Sequence, residues 1–90
     1  MTDWNEIGEN LFQRWGSAAY PMMDKDQIGK ILAISVGLGA LFNEDAAAER
    51  DWMQTPHRAF RSRPITMLLA GHIDDVLNQV NEERFPPNCT

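Results

Sequence analysis

The side chains able to do more than carry surface charge are few: His57, His72, Cys89 and a group of arginines between Arg50 and Arg63. A histidine acting as general base needs an orienting partner and a cleft for substrate, and no nucleophile is placed beside either one. His72 with Asp74 and Asp75 could form a metal-binding turn. Yet His72 follows Gly71 at a helix start, where the helix dipole favours carboxylates in any case. One cysteine and two scattered histidines give no zinc-ligand spacing. No catalytic residue, metal site or cofactor is therefore expected, which points away from an enzyme and toward a protein that works by binding.

The arginines carry the stronger signal. Arg50, Arg58, Arg61 and Arg63 lie among Trp52, His57 and Phe60, a local positive concentration in an acidic chain. Arginine and aromatic side chains on a loop are the types enriched at protein-binding hot spots, and they can also contact phosphate. The plainer alternative is a solvated loop over two core aromatics. Eight Lys and Arg against thirteen Asp and Glu give a net charge of -5 over 90 residues, so the overall field opposes a phosphate-binding surface. Nucleic acid is not the expected partner.

These side chains have to be positioned by helices, because no segment alternates with period two while several repeat at helical spacing. Trp4, Ile7, Leu11, Phe12 and Trp15 mark a first helix, with Asp3 and Glu6 as a capping box and Gly16 as its stop. Pro21 lies in the connection. Asp24 and Gln27 form a second capping box ahead of Ile28, Ile31, Leu32, Val36, Leu38, Leu41 and Phe42. Gly29, Gly37 and Gly39 each weaken that helix by roughly 1 kcal/mol unless they admit a close neighbour. Asn43 is placed to cap a third helix running through the Ala46–Ala48 run to Met53, which Thr55-Pro56 ends. Pro64 opens a fourth helix to Ala70, stopped by Gly71. Ile73, Val76, Leu77 and Val80 trace a fifth, which Pro86-Pro87 ends no later than Phe85.

The fold class predicted is all-α, a compact bundle of about five short helices. Its core is expected to include Trp52, Phe60, Pro64, Leu68, Ile73, Val76 and Leu77, and the three tryptophans are assigned to packing. With 43% hydrophobic residues the chain can fill one core. Neither a signal peptide nor a membrane span is indicated, and the lone cysteine fits a reducing compartment, so a cytoplasmic location is expected. The end, Phe85-Pro86-Pro87-Asn88-Cys89-Thr90, is either frayed or an extended docking peptide anchored by Phe85.

From about Gln27 to Arg84 the order of residues resembles the toxin-binding domain of Xre/MbcA/ParS-type antitoxins. The matching stretches are Ala40-Leu41-Phe42-Asn43-Glu44-Asp45, the alanine-rich run from Ala46 to Met53, Thr55-Pro56-His57-Arg58-Ala59-Phe60, Arg63-Pro64 through Gly71, and the helix from Ile73 to Val80. The resemblance implies an antitoxin that binds a RES-domain toxin, an enzyme that attacks NAD, and occludes its active site. It divides the chain into an N-terminal helix and linker (1–23), a toxin-binding-like domain (24–85) and a tail (86–90).

Partner-binding residues would then be His57, Arg58, Arg61 and Arg63 on the loop, with Arg84, Phe85 and Thr90 at the end. The terminal carboxylate at Thr90 would meet cations that hold the dinucleotide phosphates. Antitoxins of this kind pair, and the apolar first helix is a candidate for a homodimer contact. The chain departs from the family by His57 where asparagine is usual and by Arg61-Ser62 in place of a Gly-Gly step. The N-terminal helix-turn-helix of larger members is also replaced by one acidic helix and a linker. The alternative function is a stand-alone helical interaction or regulatory domain that touches DNA through Arg58, Arg61 and Arg63.

Overall fold

Local signals set each helix end in the computed structural model, which describes residues 4–85. Helix α1 spans Trp4–Arg14. It closes with a Schellman motif: Gly16 sits at φ 87°, Ser17 N–H donates to Phe12 O at 2.9 Å, and Gly16 N–H donates to Gln13 O at 3.0 Å. The chain then folds back along α1, where Asn5 Oδ1 accepts from Tyr20 Oη at 2.9 Å and from Met23 N–H at 3.1 Å. Gly8 leaves the space that the Tyr20 ring occupies. The expected Asp3 capping box falls outside the described residues.

Helix α2, Lys25–Phe42, begins at the anticipated capping box. Asp24 Oδ1 accepts the Gln27 N–H at 2.8 Å and Gln27 Oε1 accepts the Asp24 N–H at 3.1 Å. Its end differs from the expectation. Asn43 does not cap the next helix; it terminates α2 in the left-handed conformation at φ 53°, and Glu44 follows at φ 61°. The N-cap of α3, Ala46–Gln54, is Asp45, whose Oδ1 accepts from Ala47 N–H at 3.0 Å and Ala48 N–H at 3.3 Å. Asparagine tolerates the left-handed region better than most residues, and aspartate is an equally good N-cap, so the two share the turn in that order.

Pro64 opens the short helix α4, Pro64–Leu69, at its first turn. A second Schellman pattern ends it, with Gly71 at φ 92° and His72 N–H donating to Met67 O at 2.9 Å. Helix α5 spans Ile73–Arg84, and Phe85 is its C-cap. The described residues contain these five helices and a single isolated β-bridge, His57 to Ser62.

The central packing is α2 against α5. Gly37 makes it close, since a Cβ there would collide with Val80 Cγ1. Helix α1 packs on α2 and delivers Phe12 and Trp15, both fully buried, into the same core as Ile31, Leu38, Leu68 and Val76. Pro64 and Ile73 are buried as well, whereas Trp52, Phe60 and Leu77 are half-buried against that core. Two residues assigned to packing are not: Trp4 is 43% exposed beneath the Lys25 ammonium, and Val36 is 65% exposed.

No single described helix is long and apolar enough to cross a membrane; α2 and α3 pass such a test only together, bent by 115°. The face of α2 that carries Ile28, Ile31, Ile34 and Leu38 is buried in the core.

Candidate functional site

The loop between α3 and α4 folds on itself through one side chain. His57 N–H donates to Ser62 O at 2.9 Å, and His57 O accepts from Phe60 N–H at 3.1 Å and Arg61 N–H at 2.8 Å. His57 Nδ1 accepts the Ala59 N–H at 3.0 Å, two residues on. That is the bond an asparagine oxygen makes in an Asx-turn, so the histidine ring does here what an asparagine side chain would. With Nδ1 accepting, the ring proton belongs to Nε2, which faces Glu83 Oε2 at 3.5 Å.

Arg61 closes the turn at φ 56°. A non-glycine residue is disfavoured there, so the turn carries backbone strain at Arg61.

The imidazole lies between Trp52 and Phe60, with ring centroids 5.6 Å and 5.3 Å away. Trp52 Nε1 donates to Glu83 Oε1 at 3.4 Å, so one carboxylate on the last turn of α5 holds both α3 and the loop. In the sequence run Glu82-Glu83-Arg84, Glu83 reads as an ordinary solvated charge. Its partners lie 26 and 31 residues away.

The arginines do not act as one group. Arg63 Nη1 donates to Gln54 Oε1 at 2.7 Å, and Gln54 Nε2 donates to Trp15 O at 2.8 Å, which ties the loop to the end of α1. Arg58 and Arg61 are exposed and make no ion pair among the described residues, leaving them available to a partner. Beside them an apolar groove of about 380 Å³ is lined by Phe42, Ala48, Asp51, Trp52, Pro56 and His57.

At the end of α5 the Arg84 guanidinium lies 4.8 Å from the Phe85 ring centroid, and Phe85 is 65% exposed. The cation covers one face of that exposed ring. Phe85 borders a second cleft with Asn78, Asn81 and Glu82. Thr90 lies outside the described residues, as do Pro86, Pro87 and Cys89.

The two histidines do not meet. His72 begins α5 with its Nδ1 3.8 Å from Asp75 Oδ2, both exposed. Glu83, which holds His57, is eleven residues further on, roughly 16 Å at helical rise. Among the described residues no three His, Cys, Asp or Glu side chains gather in a way that could hold a metal ion.

Chemically, the site offers two free guanidinium groups, an aromatic groove and an exposed phenylalanine on a rigid frame. Residues 38–85, from the second half of α2 to Phe85, match the family model of the antitoxin Xre/MbcA/ParS C-terminal toxin-binding domain. No curated protein and no solved structure matches the chain.

Proposed function

The chain belongs to the Xre/MbcA/ParS antitoxins through their C-terminal toxin-binding domain, and from that premise we propose that it neutralises a RES-domain, NAD-degrading toxin by occluding its active site. The observation that carries the reading is Phe85, 65% exposed at the end of α5 with the Arg84 guanidinium against its ring. An aromatic anchor that is already ordered loses little entropy on docking. Arg84, Phe85 and the residues through Thr90 enter the toxin's pocket, while His57 orders the loop from which Arg58 and Arg61 reach the toxin surface. Arg63 contributes through Gln54 as a structural tie.

In this reading the protein performs no chemistry itself, resides with its toxin in the cytoplasm and is a homodimer. Residues 24–85 form the toxin-binding unit, residues 1–23 an added helix and linker, and residues 86–90 the tail. The rival reading, DNA contact through Arg58, Arg61 and Arg63, is weakened because Arg63 is engaged with Gln54.

Deleting Phe85–Thr90 tests the proposal in co-expression with a RES-domain toxin. The truncated chain is expected to keep its helical circular dichroism and to lose neutralisation. Retained neutralisation overturns the role assigned to Phe85 and the tail.

A further inference from the structure

The outer face of α2 presents Gly29, Ala33, Val36 and Ala40, all but Gly29 bearing an apolar side chain and all exposed. A Cβ at Gly29 would meet nothing within 4 Å, so no packing inside the chain explains a glycine there. Relative to alanine it weakens the helix by about 1 kcal/mol. Glycine at such a place is explained when another backbone comes close, and small residues on the same face allow that approach along the whole helix.

An orphaned carboxylate borders the same face. A cleft of about 610 Å³ runs beside Val36 and Ala40, lined also by Arg14, Asn43, Glu44 and Glu49. Glu49 is 1% exposed; its Oε2 takes the Arg14 Nη2 at 2.9 Å, and its Oε1 has no hydrogen-bond partner among the described residues. A buried carboxylate oxygen without a donor is costly, so a cation brought into the adjoining cleft is favoured there.

Taking pairing of the chain from the proposal above, we infer that α2 packs antiparallel on α2 of a second copy, with the two-fold axis at Ala33. Lys25 of each copy then enters the other's Glu44–Glu49 cleft. In that register residue 25 lies opposite residue 41, one turn before the cleft. A two-fold axis crossing the interface keeps each flank of the helix on its own side. Lys25, Val36 and Asn43 share one flank by helical phase, so the ammonium, on leaving the exposed Trp4 ring it rests on, arrives on the side of the Glu44–Glu49 cleft. The ends of the face are thus complementary, cation to anion. On α1, by contrast, Phe12 is fully buried and the exposed Trp4 lies under Lys25.

Sedimentation equilibrium of the full chain tests this, with Ala33→Glu, Lys25→Glu and Gly29→Ala beside the wild type. Ala33→Glu sets two carboxylates against each other at the axis and is expected to weaken the dimer roughly 100-fold with unchanged circular dichroism. Lys25→Glu weakens it too. Gly29→Ala is expected to raise thermal stability of the monomer while weakening the dimer, a pair of opposite signs that a purely solvent-facing glycine does not give. In a Cys89→Ser background, Ala33→Cys should cross-link to a disulfide dimer on oxidation, and Arg58→Cys should not. A wild-type dimer that Ala33→Glu leaves at the same affinity overturns the α2 surface while pairing itself stands. A wild type that stays monomeric at hundreds of micromolar removes the pairing reading and this surface with it.

Discussion

Arg14→Ala is the substitution whose cost follows most directly from the packing. Glu49 is 1% exposed while Arg14 is 41% exposed, so water reaches the guanidinium but not the carboxylate. Removing the arginine leaves Glu49 buried with neither oxygen bonded. Fully buried pairs broken in this way lose 3–5 kcal/mol, and the wet side of this one places it lower, at about 2–3 kcal/mol. For a domain of this size that lowers Tm by roughly 10–20 °C. Urea unfolding followed by tryptophan fluorescence gives the number, because Trp15 is fully buried and Trp52 half-buried in the folded chain.

Glu49→Met removes the charge and keeps the volume, and it should shift stability by less than about 1 kcal/mol. In the Glu49→Met background Arg14→Ala should then cost under about 0.5 kcal/mol, the value of an ordinary surface arginine. The reasoning fails if Arg14→Ala alone costs under about 0.5 kcal/mol, or if its full cost survives in the Glu49→Met background.

Arg61→Gly relieves a left-handed residue and should stabilise the fold by about 0.5–1 kcal/mol, read as a higher urea midpoint, after allowing for the added freedom of the unfolded chain. The same change removes a free cation, so toxin affinity should fall while stability rises. Gly37→Ala drives a methyl into Val80 at the α2–α5 contact and should destabilise by about 1–3 kcal/mol in the same assay. Lys30 donates to Asp74 Oδ1 at 2.7 Å, and that hydrogen bond, with the attraction of the Asp74 charge, raises the lysine above its ordinary pKa. A raised folded pKa means the contribution is complete below the unfolded value and is lost as pH rises through the folded one. The difference in urea midpoint between wild type and Asp74→Asn should therefore be flat across neutral pH and close only above about pH 10.4.

Short-range features were legible in the sequence because their cause is local. The Asp24–Gln27 capping box, Pro64 at a first helical turn, and Gly16 and Gly71 past helix ends all act within a few residues. Asn43 was misassigned because it and Asp45 are both good N-caps, and only the left-handed backbone separates them. Val36 was misplaced because α2 carries apolar residues on nearly every side, so its spacing does not single out one inward face. Trp4 sits at a helix start, where the Lys25 ammonium lies over its ring and 43% of it stays exposed, so helical spacing alone does not bury it.

For the site, composition marked the arginine-rich loop, but not how its members divide. Arg63 is tied down by Gln54, nine residues away, and His57 by Glu83, on a different helix. Such pairs depend on tertiary placement, and charge patterning along the chain carries no trace of them. The role of His57 in its own turn was within reach, since a ring Nδ1 and an asparagine oxygen accept from the same i+2 amide.

The most direct test of the central claim is NAD loss caused by the purified RES toxin, with increasing full-length chain added. Loss should stop at a fixed stoichiometric ratio and the two proteins should copurify. Undiminished NAD loss with excess folded chain would contradict neutralisation and leave only a helical interaction domain.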